Sequence, residues 1–181
     1  DPDHAEFSVE SETRWFAGYQ KRYFAQLKAW MRELTGGERP SGGETDGVFE
    51  NPHIALLTRS ASAAPEGEHT GPVDHAKAVQ GGWEPSYHTL RNTLRSEGYE
   101  LGEDWQYERR MEPHSGERGG DVNHCYGHEH TIVVVDGEVS EEDFAPVLEK
   151  HVEECDPAGA EAHEVGDAVE VFTPEEVEDI A

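Results

Sequence analysis

The 181-residue chain suits one domain, or one domain with an added segment, and can bury a sizeable core although only 34% of its residues are hydrophobic. Forty Asp and Glu face fourteen Lys and Arg, for a net charge of −26, and only four of those bases are Lys. No apolar run is long enough to cross a membrane, no basic-then-apolar leader is present, and two cysteines, Cys125 and Cys155, are too few for a disulfide scaffold.

A reducing cytoplasm is therefore the expected compartment. Such acidity can accompany disorder. Here four Trp, six Tyr and six Phe fall in patterned segments, so a fold is expected. The charge fits a protein kept soluble in concentrated salt, where screening over about 3 Å at 1 M removes the mutual repulsion of its carboxylates. The chain opens Asp1-Pro2-Asp3 with no initiator Met, as a fragment or a processed product does.

Residues 1–12 are acidic and expected to be loose. Trp15, Phe16, Tyr19, Tyr23, Leu27, Trp30, Met31 and Leu34 recur at three- and four-residue steps, which predicts an amphipathic helix over 14–34. Gly36-Gly37 ends it, and 36–47 reads as a loop. A strand follows at 53–59, a loop at 60–72, and helices at 73–80 and 85–97 with Gly98 as the C-terminal cap. Strands are predicted at 105–112 and 128–135, joined by a Gly-rich hairpin from Ser115 to Asp121, with a turn at Asp136-Gly137. A helix over 140–154 opens on the capping box Ser140-x-x-Asp143. A strand at 167–172 and a final helix capped by Thr173 with Pro174 in its first turn complete the chain. This order predicts an α+β fold, an antiparallel sheet covered by helices. The expected division is 1–47, an N-terminal extension with the basic helix, and 48–181, the chemistry-bearing domain.

The richest segment is Tyr126-Gly127-His128-Glu129-His130-Thr131-Ile132-Val133-Val134-Val135. Alternate side chains of a strand share a face, so His128 and His130 point the same way and can bind one divalent ion. The hairpin brings Glu112 and His114 on the partner strand. Glu112 is the favoured third ligand and His114 the reserve. Two His and one carboxylate leave coordination positions open, as catalytic metals require, and the nitrogen–oxygen set suits Mn or Mg, with Zn as an alternative. A zinc knot of His124, Cys125, His128 and His130 is a second reading, made awkward by the crowding of its ligands. His151 and His163 read as surface or satisfied histidines.

A His-x-His strand, preceded by a Glu-Pro-His hairpin strand and an earlier hydrophobic strand ending in Thr, resembles the HUH endonuclease superfamily, above all the replication initiators of haloarchaeal plasmids and pleomorphic viruses. The resemblance runs from about Pro52 to Ala181. It implies a mainly antiparallel sheet of about five strands with helices on it. It matches His128 and His130 to the metal-holding histidines, Glu112 to the acid that completes the site, and Ile54 to Thr58 to the first motif. Thr58 and Arg59 are then expected at the DNA. Two features depart from the pattern: Glu129 stands where a bulky apolar residue is usual, and the hairpin is longer and more polar.

The implied reaction is site-specific nicking and joining of single-stranded origin DNA to start rolling-circle replication, with a host polymerase and helicase as further partners and no membrane. A tyrosine hydroxyl attacks a phosphodiester, forms a 5′-phosphotyrosine and frees a 3′-OH. None of the six tyrosines follows His130, so the catalytic tyrosine is expected beyond Ala181. A non-catalytic DNA-binding remnant of the fold and a metal-dependent hydrolase of small substrates are the alternatives. The first helix bears on this: no acid occurs from Thr13 to Arg32, yet Arg14, Lys21, Arg22, Lys28 and Arg32 lie there, while residues 119–181 carry nineteen acids and only Lys150. Lys21, Arg22 and Lys28 are expected to contact phosphates, or else to pair with acidic segments of the same chain.

Overall fold

In a computed structural model, residues 17–38, 41–113 and 126–176 are described. The chain divides into two compact units between Val48 and Phe49.

The first unit contains α1 (Ala17–Thr35) and two short antiparallel strands, β1 (Gly37–Glu38) and β2 (Glu44–Thr45). The stretch read as a loop is thus partly a small two-stranded sheet. Gly36 and Gly37 adopt φ of 81° and 118°, which stops the helix where the glycine pair predicts. Lys21, Arg22 and Lys28 are exposed on α1, whereas Met31 and Leu34 are buried.

The second unit is built on a four-stranded antiparallel sheet in the order β4-β5-β3-β6, formed by β3 (Pro52–Arg59), β4 (Trp105–Pro113), β5 (Gly127–Asp136) and β6 (Val169–Phe172). The α+β expectation holds, with four strands in this sheet rather than five. Between β3 and β4 lie α2 (Pro72–Gly81) and α3 (Trp83–Ser96); α4 (Ala145–Glu154) and the single turn α5 (Val165–Ala168) precede β6. The last predicted strand therefore begins two residues late. Asp167 and Ala168 donate their amides to the Glu164 carbonyl and form a helical turn first.

Period-two alternation divides the sheet into two faces. Ala55, Leu57, Trp105, Val133, Val135 and Val169 point to one face and pack against Leu90 and Leu94 of α3 and Phe144, Val147 and Leu148 around α4. Each large side chain fully buried there contributes roughly 1.5–3 kcal/mol. Leu90 and Leu94, four residues apart, form the stripe that seats α3 on the sheet. That helix ends in a Schellman motif: Tyr99 N–H donates to the Leu94 carbonyl and Gly98 N–H to that of Arg95, with Gly98 at φ 99°. The predicted capping box at Ser140 forms, although its first turn, Glu141–Phe144, is a 3-10 turn.

Three histidines hold the segment that leaves β3. His151 Nε2–H donates to the Ser60 carbonyl, His75 Nε2–H donates to that of Ala61, and the Ser60 N–H donates to His163 Nε2. Carbonyls only accept, so these bonds fix the tautomers. Gly82 leaves room for His151; a Cβ there would lie 2.7 Å from Nδ1. His163 is thus a satisfied residue, bonded at both ring nitrogens, and His151 is bonded through Nε2; both are buried rather than at the surface.

Burial pushes His151 down from 6.5 to about 4, against the opposing Ser60 bond, and burial also lowers His163. Both are neutral when folded and bind protons in the unfolded chain, so their contribution is complete above pH 6.5 and is lost as pH falls below it, down to about 4 for His151. For His151 the full loss is about 3 kcal/mol, with about 2 kcal/mol gone by pH 5. Urea unfolding at pH 7.5 and pH 5 is expected to show this loss, and His151→Gln to flatten the dependence.

Candidate metal centre

Residues at one end of the sheet, on the face turned away from α3 and α4, form the candidate site. The pairing register places Glu112 opposite His128, and Thr58 opposite His130. One ligand atom from each of Glu112, His128 and His130 lies within 4.8 Å of the others. The two Nε2 atoms are 2.9 Å apart, with the rings edge to face at 89°. Two ligands each about 2.1 Å from an ion and at right angles around it stand about 3.0 Å apart, so the donor set fits a divalent cation.

Electrostatics and hydrogen bonding favour that use. Burial pushes His130 below its usual range, opposed by the nearby Glu112 carboxylate, so the ring is neutral at pH 7 with a lone pair to offer. Thr58 Oγ1 shares a hydrogen bond of 3.1 Å with His130 Nδ1, which turns Nε2 towards the other two ligands. Thr58, expected at the DNA, thus sits at the site through His130. Arg110 is opposite His130 in register and its Nε lies 3.9 Å from Glu112 Oε1. Sequence reading did not single it out, although its place two residues before Glu112 puts it on the same strand face.

Arg59 requires a correction. Expected at the DNA, it is 0% exposed. As the odd neighbour of Thr58 it points to the helix face, where its guanidinium pairs with Glu129, itself 1% exposed. Arg109 Nη1 lies 3.3 Å from the second oxygen of Glu129, and both guanidiniums lie over the Trp83 ring, at 4.6 and 4.7 Å from its centroid. Burial, then the Arg109 charge, push Arg59 down to about 9, opposed by Cys155; it stays protonated at neutral pH. The unusual residue between the histidines is therefore one half of a buried ion pair.

His114, and with it the reserve ligand, lies outside the described residues, as do His124 and Cys125 of the zinc-knot reading and the hairpin from Ser115 to Asp121. The described tyrosines of the second unit are engaged elsewhere. The Tyr126 hydroxyl donates to the Thr70 carbonyl, that of Tyr99 to the Glu138 carbonyl, and Tyr87 and Tyr107 stack with Trp83 on the helix side.

A helix-backed antiparallel sheet with two histidines and a carboxylate gathered at one end of its other face defines an α+β protein with a candidate divalent-metal centre. The match to known families is specific over residues 14–179: the chain belongs to the family described as "Putative rep protein (DUF1424)". It is also similar to an "Uncharacterized 36 kDa protein" of Halobacterium salinarum, 34% identical over 64% of this chain and 32% of that protein. A protein of the same description from Halobacterium sp. (strain GN101) is 35% identical over 80% of this chain and 40% of its own length. The chain thus spans a third to two fifths of these relatives. No solved structure matches it. Among the described residues, no helix is long and apolar enough to cross a membrane.

Proposed function

We propose that this chain carries the metal-binding part of an HUH-type replication initiator, which nicks and rejoins single-stranded origin DNA to start rolling-circle replication. The observation that supports it most is the convergence of Glu112, His128 and His130 within 4.8 Å in a chain of a Rep family. Mn or Mg, when bound there, polarises the scissile phosphate. The chain's own residues do the rest. Glu112, His128 and His130 hold the ion, Thr58 orients His130, and Arg110, beside Glu112, adds positive charge where a phosphate arrives. The attacking tyrosine forms an O–P bond as the P–O3′ bond breaks, leaving a 5′-phosphotyrosine and a 3′-OH that takes up the proton. That tyrosine is supplied from outside residues 49–176.

Incubating labelled single-stranded origin DNA with Mn and the chain is the test. We expect metal-dependent DNA binding without a covalent adduct from residues 1–181, and an adduct once the rest of a full-length relative is present. An adduct mapping to Tyr19 or Tyr23 would replace the initiator order with a relaxase-like one. Metal-free binding of equal strength and no cleavage by the full-length protein would favour the non-catalytic remnant.

The exposed bases of α1 extend the reading to DNA affinity. Reversing Lys21, Arg22 and Lys28 to Glu is expected to weaken single-stranded DNA binding. Contacts with six to ten phosphates lose about 10³–10⁵ in affinity between 50 and 200 mM salt, so binding that persists in molar salt must also draw on stacking or base contacts. Affinity unchanged by the reversal would assign these bases to pairing within the chain.

A further inference from the structure

We propose that Glu129 is a positioning residue for the His128–His130 pair, acting through the β5 backbone with Arg59 and Arg109 as its counter-ions. This rests on the reading of Glu112, His128 and His130 as a metal site.

The argument starts from register. Each of the three strands that meet at the candidate site contributes to the site above the sheet and places a charged residue below it. From β3 come Thr58 above and Arg59 below; from β5, His130 above and Glu129 below; from β4, Glu112 above and Arg109 below. At successive register positions, β3 and β5 are tied by Thr58–His130 on one face and Arg59–Glu129 on the other. The second oxygen of Glu129 reaches Arg109, so one carboxylate tethers all three strands at the level where the ligands converge. Trp83 of α3 covers both guanidiniums and keeps the tether on the helix side.

An apolar residue at 129 would fill the same space without desolvating charges, and replacing a buried ion pair by apolar residues is often neutral or stabilising. The best-attested use of such a pair is to fix registry. Here registry decides chemistry. A slip of one residue between β5 and β3 would turn both imidazoles to the helix face and leave the Arg59 and Glu129 charges buried apart. The pair thus excludes the arrangement in which the ligands are lost.

The double variant Arg59→Met with Glu129→Leu, which leaves neither charge of the pair buried, tests the role. Thermal unfolding of the metal-free protein, Mn calorimetry and the visible spectrum of the Co-loaded protein are measured on it and on wild type. We expect an unfolding midpoint equal to or above wild type, an Mn Kd raised about tenfold, in the range that outer partners of metal ligands contribute, and a changed Co spectrum. Wild-type Mn affinity together with a wild-type Co spectrum in the variant would overturn the proposal and leave the metal site standing. Failure of wild type itself to bind Mn would remove the metal reading and the proposal together. Should the double variant not fold, Arg109→Gln, altering a residue about one third exposed, carries the test: weaker Mn binding with a changed Co spectrum supports the role, and wild-type values for both overturn it.

Discussion

Replacing His128 with alanine is expected to raise the Kd for Mn on the order of a hundredfold or more, beyond the roughly 10–100-fold that outer partners of metal ligands contribute. The site has three side-chain donors among the described residues, Glu112, His128 and His130. Without His128, one imidazole and one carboxylate remain, a set that holds Mn or Mg weakly against water. His130→Ala should match it. Thr58→Val should do less, about tenfold, because it leaves all three ligands and removes only the hydrogen bond that orients His130. Calorimetry with Mn on the three variants and wild type gives the ranking. Equal binding by wild type and His128→Ala would remove the site.

The second large effect concerns folding stability. Glu129→Leu alone is expected to cost about 3–5 kcal/mol, because it leaves the Arg59 guanidinium, 0% exposed, without its carboxylate. Arg109, about one third exposed, can turn to solvent; Arg59 cannot. Adding Arg59→Met to the same protein should restore the whole of the loss, since the uncompensated charge then disappears. Urea unfolding of wild type, the single variant and the double variant, all at one high salt concentration, measures both steps. A single variant within 1 kcal/mol of wild type would show that Arg59 finds another partner.

The two predictions differ in how visible their origins are in the sequence. Alternation along a strand is a local property, so the shared face of His128 and His130 follows from two residues and a pleat. Glu112 was reachable too, because a hairpin pairs the residues that flank it. Arg59 was misplaced for a related reason. Its neighbour Thr58 belongs to the site, but a strand sends consecutive side chains to opposite faces, so proximity in sequence is not proximity in space. Glu129 departs from the pattern in sequence, and its reason lies in its register partner Arg59, seventy residues away.

The sequence by itself determined the helices and strands, since periodicity, caps and glycine stops act within a few residues. It determined the first helix through the Gly36-Gly37 stop, α3 through Leu90, Leu94 and the Gly98 cap, the Ser140 capping box, and the histidine strand. Tertiary structure alone decided the strand order β4-β5-β3-β6, the pairing of Arg59 with Glu129 across seventy residues of chain, and the burial of His75, His151 and His163 around the exit of β3. The reason is physical: a buried charge or imidazole is tolerated only when a partner is at hand, and whether one is at hand depends on which distant strands and helices come to lie side by side.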